Sequence, residues 1–239
     1  MFSDIHCHLL YGVDDGPEKL EEMLDMLDAA YRDGIRSLCV TPHFNFSFFG
    51  DNSKKAQSAY RELCEITKEK YPDMTVYLGC EIFYHDECLR YLSDGICPSL
   101  AGTKYVLVDF SSDVDLFTVT DAVKSIISYG YIPILAHTER YRIFQSITSR
   151  LNDLKDYGAV ISINAASVVG KNSRKEMSCA KKIIKAGICD IIASDAHNTT
   201  NRPFCFSECY DYLKKHHGKE TAELLTCLRA NRILSSQRS

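Results

Sequence analysis

The residues best equipped for chemistry begin within the first fifteen positions. An apolar run, Met1–Ile5, delivers His6-Cys7-His8, and Asp14, Asp15 and Gly16 follow. On a strand, histidines at i and i+2 project from the same face. Two imidazoles with a carboxylate close behind are a ligand set for Zn, Mn, Fe or Ni. Such a pair alone is equally well read as two polar residues near a turn. The arrangement recurs, however. His43 follows the apolar run Ser37–Thr41, Glu81 follows Met74–Leu78, and Asp109 follows Tyr105–Val108. His137 follows Ile132–Ala136, and Asp195 and His197 follow Asp190–Ala193. One His or Asp past a strand is ordinarily a turn or capping residue; five histidines and four carboxylates so placed form a pattern. Nine donors exceed the needs of one ion, which takes about four to six ligands including waters. The count suits two or three ions, with Glu81 or Asp109 as bridges. Such a cluster lowers the pKa of a bound water towards neutrality and clamps the oxygens of an in-line displacement. Arg140, three residues after His137, and Arg202, five after His197, can grip an anionic substrate through bidentate contacts or serve as surface salt-bridge partners.

Bringing these residues together requires a particular arrangement of elements. Leu20, Met23, Leu24, Leu27 and Ala30 have helical spacing, and Gly34 ends that helix. Further helices are expected over Ser53–Tyr71, Phe117–Tyr129, Ile143–Tyr157, Ser173–Ala186, Pro203–His216 and Glu220–Leu228, with a short one over His85–Leu92. The aromatic stretch Phe44–Gly50 reads as a loop over the site. A strand Ala159–Ile163, ending at Asn164, completes a strand–helix alternation of about seven repeats with no linker or low-complexity segment. The sequence is therefore read as one domain over residues 1–239. Strands alternating with helices predict right-handed βαβ units and a parallel sheet. In a (β/α) barrel all strand C-termini open on one face, whereas an open sheet gathers ligands only at a switch point. Six or more chemically loaded strand ends favour the barrel.

Composition narrows the function. The chain has 239 residues, 45% hydrophobic and 25% charged, as in ordinary globular proteins. A net charge of −4 argues against nucleic-acid binding. Eleven cysteines, an odd number without any C-x-x-C, predict reduced and mostly buried thiols in a cytoplasmic protein. The longest apolar runs, such as Tyr131–Ala136, are strand-length, so no membrane insertion is expected. No leader is expected either, since the N-terminus has no basic region before a long apolar stretch. A cysteine-based tyrosine phosphatase needs C-x5-R, and no cysteine has an arginine six residues on. Asp113-Val114-Asp115 has the D-x-D form of aspartyl-phosphate phosphatases, but it does not follow the first strand, and Phe117 stands where Thr or Val is usual. No G-x-x-x-x-G-K-[ST] loop is present.

Taken in order, His6-Cys7-His8, Thr41-Pro42-His43, Gly79-Cys80-Glu81, Ala136-His137-Thr138-Glu139-Arg140 and Ser194-Asp195-Ala196-His197 resemble the polymerase-and-histidinol-phosphatase (PHP) superfamily. The stretches from Met1 to Gly16, Tyr105 to Ser111, Ala136 to Tyr141 and Ile192 to Asn198 with the following Asn201-Arg202-Pro203 look, more closely, like the bacterial manganese-dependent protein-tyrosine phosphatases of capsule and exopolysaccharide loci. The resemblance covers almost the whole chain. It implies an α/β fold, a distorted (β/α)7 TIM-like barrel of the PHP type, with a trinuclear site. Mn2+ is the metal implied, with Fe, Zn, Co or Ni as alternatives. The implied partner is the phosphorylated tyrosine-kinase tail of a membrane polysaccharide co-polymerase. Carried over position by position, His6, His8, Asp15, His43, Glu81, Asp109, His137, Asp195 and His197 fall on metal ligands. Arg140 and Arg202 fall on phosphate-contacting arginines. Asp109 departs from the family, whose close members usually carry Glu there; the shorter arm changes how it can bridge two ions. Two other readings share these residues. One is a small-molecule phosphatase such as histidinol-phosphate phosphatase; the other is a catalytically weak, metal-stabilised partner of a membrane kinase. His85 and Glu139 are the candidates for a leaving-group acid, although phenolate, with pKa ~10, leaves without much help.

Overall fold

A computed structural model describes residues 1–85 and 87–236. In order the elements are β1 (Phe2–Cys7), α1 (Leu20–Arg32), β2 (Ile35–Val40), β3 (His43–Phe44), α2 (Phe46–Phe49) and α3 (Ser53–Lys70). Next come β4 (Thr75–Leu78), β5 (Glu81–Phe83), α4 (Cys88–Ser93), β6 (Tyr105–Asp109), α5 (Leu116–Ser128) and β7 (Ile132–Leu135). The remainder is α6 (Arg142–Ser146), α7 (Arg150–Asp156), β8 (Val160–Asn164), α8 (Ala165–Val168), α9 (Arg174–Lys185), β9 (Ile191–Ala193), α10 (Phe206–His217), α11 (Lys219–Glu223) and α12 (Arg229–Leu234).

All the strand pairs are parallel, in two ladders ordered β1-β2-β4 and β3-β5-β6-β7-β8-β9. The ladders are continuous with each other. Gly79 N–H donates to the Val40 carbonyl and Glu81 N–H to the Pro42 carbonyl, so pairing carries across both breaks. Pro42 breaks one ladder strand because it has no N–H to donate. Gly79 breaks the other where a Cβ would run into Leu100 and Cys39. At the far side, Asp195 N–H donates to the His6 carbonyl and His8 N–H to the Ala196 carbonyl, which sets the end of β9 against β1. The sheet therefore curls. One buried cluster accordingly gathers Ile5, Cys39, Leu107, Ile134 and Ile191 from strands of both ladders, with Ala230, Ile233 and Leu234 of α12.

Helix faces follow the sequence pattern. α1 buries Met23, Met26, Leu27 and Ala30, and α9 buries Cys179, Ala180, Ile183 and Ile184. Ser173 caps α9 by accepting from Glu176 N–H, and Asp115 caps α5 by accepting from Thr118 N–H. Two expectations are corrected. The helix expected over Ile143–Tyr157 is two helices, α6 and α7, broken at Ile147 (φ −137°, ψ 75°). The β-branched pair Ile147-Thr148 and the hydroxyl of Ser149 lower helix propensity there. The stretch Phe44–Gly50 is not all loop. Asn45 starts the four-residue α2, its carbonyl accepting from the N–H groups of Phe48 and Phe49 and its side chain from Ser47 N–H. Towards the C-terminus, the helix expected over Glu220–Leu228 runs on into α12 through a π-helical turn, Leu224–Leu228. No helix among the described residues is long and apolar enough to cross a membrane.

Candidate metal centre

Strand register assembles the site. His43 pairs with Glu81 in the β3–β5 ladder, and Phe83 pairs with Asp109 between β5 and β6. On β1, His6 and His8 flank Cys7, whose partner across the seam is Ala196, itself flanked by Asp195 and His197. All nine metal-type residues expected from the sequence meet in one network. His6 Nε2 lies 3.1 Å from His8 Nε2, 3.3 Å from Glu81 Oε1 and 3.4 Å from Asp195 Oδ1. His43 faces Glu81 through Nδ1 at 2.9 Å and Asp15 through Nε2 at 3.3 Å. His197 Nε2 is 3.2 Å from Asp15 Oδ1, and His137 Nε2 is 3.0 Å from Glu81 Oε1 and 3.6 Å from Asp109 Oδ1. Among the described residues, three groups are tight enough to hold a cation: His8, Asp15, His43 and His197; His6, His8 and Glu81; and Glu81, Asp109 and His137. His8 and Glu81 each belong to two of them.

The chemistry of this donor set fits metal ions. His6, His8 and Glu81 have no solvent exposure, and Asp195 is almost fully buried. Burial of lone pairs at these separations is costly unless cations or protons lie between them. The two facing Nε2 atoms of His6 and His8 can share at most one proton. Titration reflects the same crowding. Burial pushes the Glu81 carboxyl up, but His6 and His43 hold it well below the usual carboxylate range. Burial and the neighbouring His8 bring His197 down to about 4. His8 goes the other way: burial and His43 lower it, yet Asp14 and Glu81 carry it up to about 9. Asp109 is raised, chiefly by burial.

Two of these residues sit on unusual backbone. Asp195 (φ 54°) and His137 (φ 29°) are two of the three non-glycine residues with positive φ among those described. Left-handed backbone costs an L-residue of order 1–2 kcal/mol, and such outliers concentrate at functional sites. A serine anchor supports the first: Ser194 N–H donates to Asp4 Oδ1 at 3.0 Å, and Ser194 Oγ is 2.6 Å from Asp4 Oδ2.

The two arginines reach the same centre. Arg140 Nη1 and Arg202 Nη2 both donate to Asp195 Oδ2, at 3.1 and 2.8 Å, while Asp195 Oδ1 faces the histidines. Arg140, Arg202, Asn164 and Asp195 line a cavity of about 290 Å³ that continues to Asn172, Ser173 and Glu176. Glu139 is fully buried, with Oε1 accepting from Asn164 N–H and Ser167 Oγ, which makes it a brace for β8 and α8. Some contributors escaped the sequence reading. Asp14 Oδ2 bonds His8 Nδ1 at 2.7 Å, fixing that ring, and accepts from the backbone N–H of His43 at 2.9 Å, anchoring the strand that carries it. Tyr141 OH donates to Asp109 Oδ1 at 2.9 Å, and Asn164 Nδ2 donates to Asp195 Oδ2 at 2.9 Å. The adjacency of Asp14 to Asp15, and of Tyr141 to Arg140, was the available signal.

Comparison with known proteins agrees with this geometry. The family described as capsular polysaccharide synthesis, CpsB/CapC, matches residues 2–235. The tyrosine-protein phosphatase CpsB of Streptococcus pneumoniae is 29% identical over 98% of this chain and 98% of its own. The tyrosine-protein phosphatase YwqE of Bacillus subtilis is 32% identical over 93% of this chain and 88% of its own. A crystal structure from work on YwqE and CpsB, described as metal-dependent tyrosine phosphatases, superposes with a TM-score of 0.90 at 31% identity, covering 98% of this chain and 94% of that one. A match of this length and specificity, over a centre of this composition, means that the chain belongs to the CpsB/CapC family of capsular polysaccharide synthesis.

Proposed function

We propose that the protein is a metal-dependent protein-tyrosine phosphatase, a phosphoric monoester hydrolase that regulates capsule or exopolysaccharide synthesis. The observation that carries this reading is the convergence of nine mostly buried N and O donors, eight of them in three cation-sized groups and the ninth, Asp195, between His6 and two arginines. In support, relatives along almost the whole chain are named tyrosine-protein phosphatases, and a solved relative is described as metal-dependent. The metal ligands are His6, His8, Asp15, His43, Glu81, Asp109, His137, Asp195 and His197, holding two or three ions, with Mn2+ as the resident metal. When bound, such ions lower the pKa of a water and stabilise charge on phosphoryl oxygens. The chain's own residues do the rest. Asp14 orients His8, Tyr141 steadies Asp109, and Arg140 and Arg202 hold the phosphoryl oxygens.

The finer architecture belongs to the same reading. Taking β2 with β3, and β4 with β5, as single strands interrupted at Pro42 and at Gly79-Cys80 yields seven strand positions, as in a distorted (β/α)7 barrel forming one domain over residues 1–239. The substrate is the phosphotyrosine-bearing tail of a membrane kinase acting in polysaccharide export, met in the cytoplasm, where the eleven free thiols stay reduced. Chelator treatment should abolish hydrolysis of a phosphotyrosine peptide and Mn2+ should restore it, with histidinol phosphate a far poorer substrate. Activity that survives thorough metal removal, or a preference for histidinol phosphate, would sink the proposal.

A further inference from the structure

One aromatic stretch beside the centre has no part in holding ions. Phe44 is buried, but Phe48 is 83% exposed on the four-residue helix α2, and Phe49 is half-buried. The Phe49 ring lies flat on the imidazole of His43, with centroids 5.5 Å apart and planes inclined by 6°. Phe48 adjoins it, with ring centroids 6.5 Å apart. His43 in turn touches Glu81 and Asp15, so Phe49 stands one ring away from the donor cluster.

We infer that Phe48 and Phe49 form an aromatic rim that receives the phenyl ring of the substrate and so selects aryl over alkyl phosphate esters. The inference rests on the phosphatase reading above and names the residues that give it its preference for tyrosine. In an aryl phosphate a single oxygen joins the ring to phosphorus. A phosphoryl group seated at the cluster therefore brings that ring against the wall of the site. The cavities on the other sides are polar. One runs past Arg140, Asn164, Asn172 and Arg202; the other, of about 360 Å³, runs past Asp15, Glu18, Glu22 and Thr200, and neither has a phenylalanine or tyrosine in its lining. The α2 wall presents two phenyl rings beside His43, one of them open to solvent, and ring pairs gain from stacked or edge-on contact beyond the area they bury. An exposed phenylalanine at the edge of a charged centre gains by taking a ring from solvent, whereas a serine ester brings only a methylene.

Competitive inhibition of phosphotyrosine-peptide hydrolysis by phenylphosphonate and by methylphosphonate tests this in the Mn2+-loaded protein. Phe48→Ala and Phe49→Leu should each raise the Ki of phenylphosphonate roughly two- to tenfold and leave that of methylphosphonate unchanged. Because the chain has no tryptophan, Phe48→Trp creates a single tryptophan reporter that can be excited apart from the tyrosines. Its emission should respond to phenylphosphonate and not to methylphosphonate. Equal changes for both inhibitors, no change for either, or equal fluorescence responses would overturn the aromatic rim. A parent protein with full metal content and no activity on the peptide would instead overturn the phosphatase reading itself, and the rim with it.

Discussion

Asp195 is where two roles of the arginines can be separated. Both guanidinium groups donate to its Oδ2, so each can act by holding that carboxylate or by meeting a substrate anion. A guanidinium cannot ligate a metal, and both side chains stay partly open to the cavity. Arg140→Ala and Arg202→Ala should therefore keep their metal content and lose roughly ten- to a thousandfold in kcat/KM, on the order of 1.4–4 kcal/mol of transition-state stabilisation. Lysine should rescue only in part, since it lacks the planar fork. A loss of bound metal matching the loss of rate would mean that the arginines serve only to position Asp195. Asp4, behind the centre, makes a different prediction. Burial pushes its carboxyl up to about 7, against hydrogen bonds from Ser194 and His6. Ser194 Oγ lies 2.6 Å from Asp4 Oδ2 and 3.0 Å from the His6 carbonyl, and its one proton can serve only one of them at a time. A folded pKa above the unfolded value gives stability that is complete below about pH 4 and lost as pH rises through 7. In chelator-treated protein, urea unfolding of the parent should thus weaken relative to Asp4→Asn between about pH 4 and 8, by at most about 4 kcal/mol. Parallel stability curves for the two proteins would show that Asp4 does not titrate in this range.

At the scale of elements, the segment joining β1 to α1 is the most constrained. It carries Asp14 and Asp15, and Gly16 closes it against the His8 backbone. A Cβ at position 16 would collide with the His8 carbonyl and crowd the Asp14 carboxylate. Backbone cannot yield as a flexible side chain can, so Gly16→Ala should cost about 1–3 kcal/mol and shift both acids. Bound metal per chain, measured by elemental analysis, should fall in Gly16→Ala, most of all for the group formed by His8, Asp15, His43 and His197. Unchanged metal content and stability would refute the crowding. The elements were legible in the sequence in proportion to their periodicity. The stripe Met23, Leu27, Ala30 and the apolar runs before each ligand located α1 and the strands, because burial imposes those spacings. The split between α6 and α7 was hidden because Phe144, Leu151 and Leu154, all buried, keep a helical spacing across the break. The second-sphere residues were less legible still. Nothing in the local spacing of Tyr141 or Asn164 says that it bonds a carboxylate 32 or 31 residues away.

On the scale of the whole molecule, residues as far apart in the chain as His8 and His197 meet because a curled parallel sheet points its C-terminal ends one way. The expected burial of the cysteines is seen as well, for nine of the eleven are buried, and Cys64 and Cys227 are half-buried. One feature of the curl, the seam between β1 and the end of β9, bears on how the protein is made. The Asp4–Ser194 contact spans 190 residues, and the His6–Asp195 and His8–Ala196 bonds are as distant. On a translating ribosome, His6 and His8 emerge first and wait for Asp195 and His197 until nearly all the chain has been synthesised. Closing so wide a loop is slow compared with local helix formation. The group formed by His8, Asp15, His43 and His197 is thus completed late, and a chain arrested before residue 195 would carry most of the candidate donors with no seam to hold β1 in register.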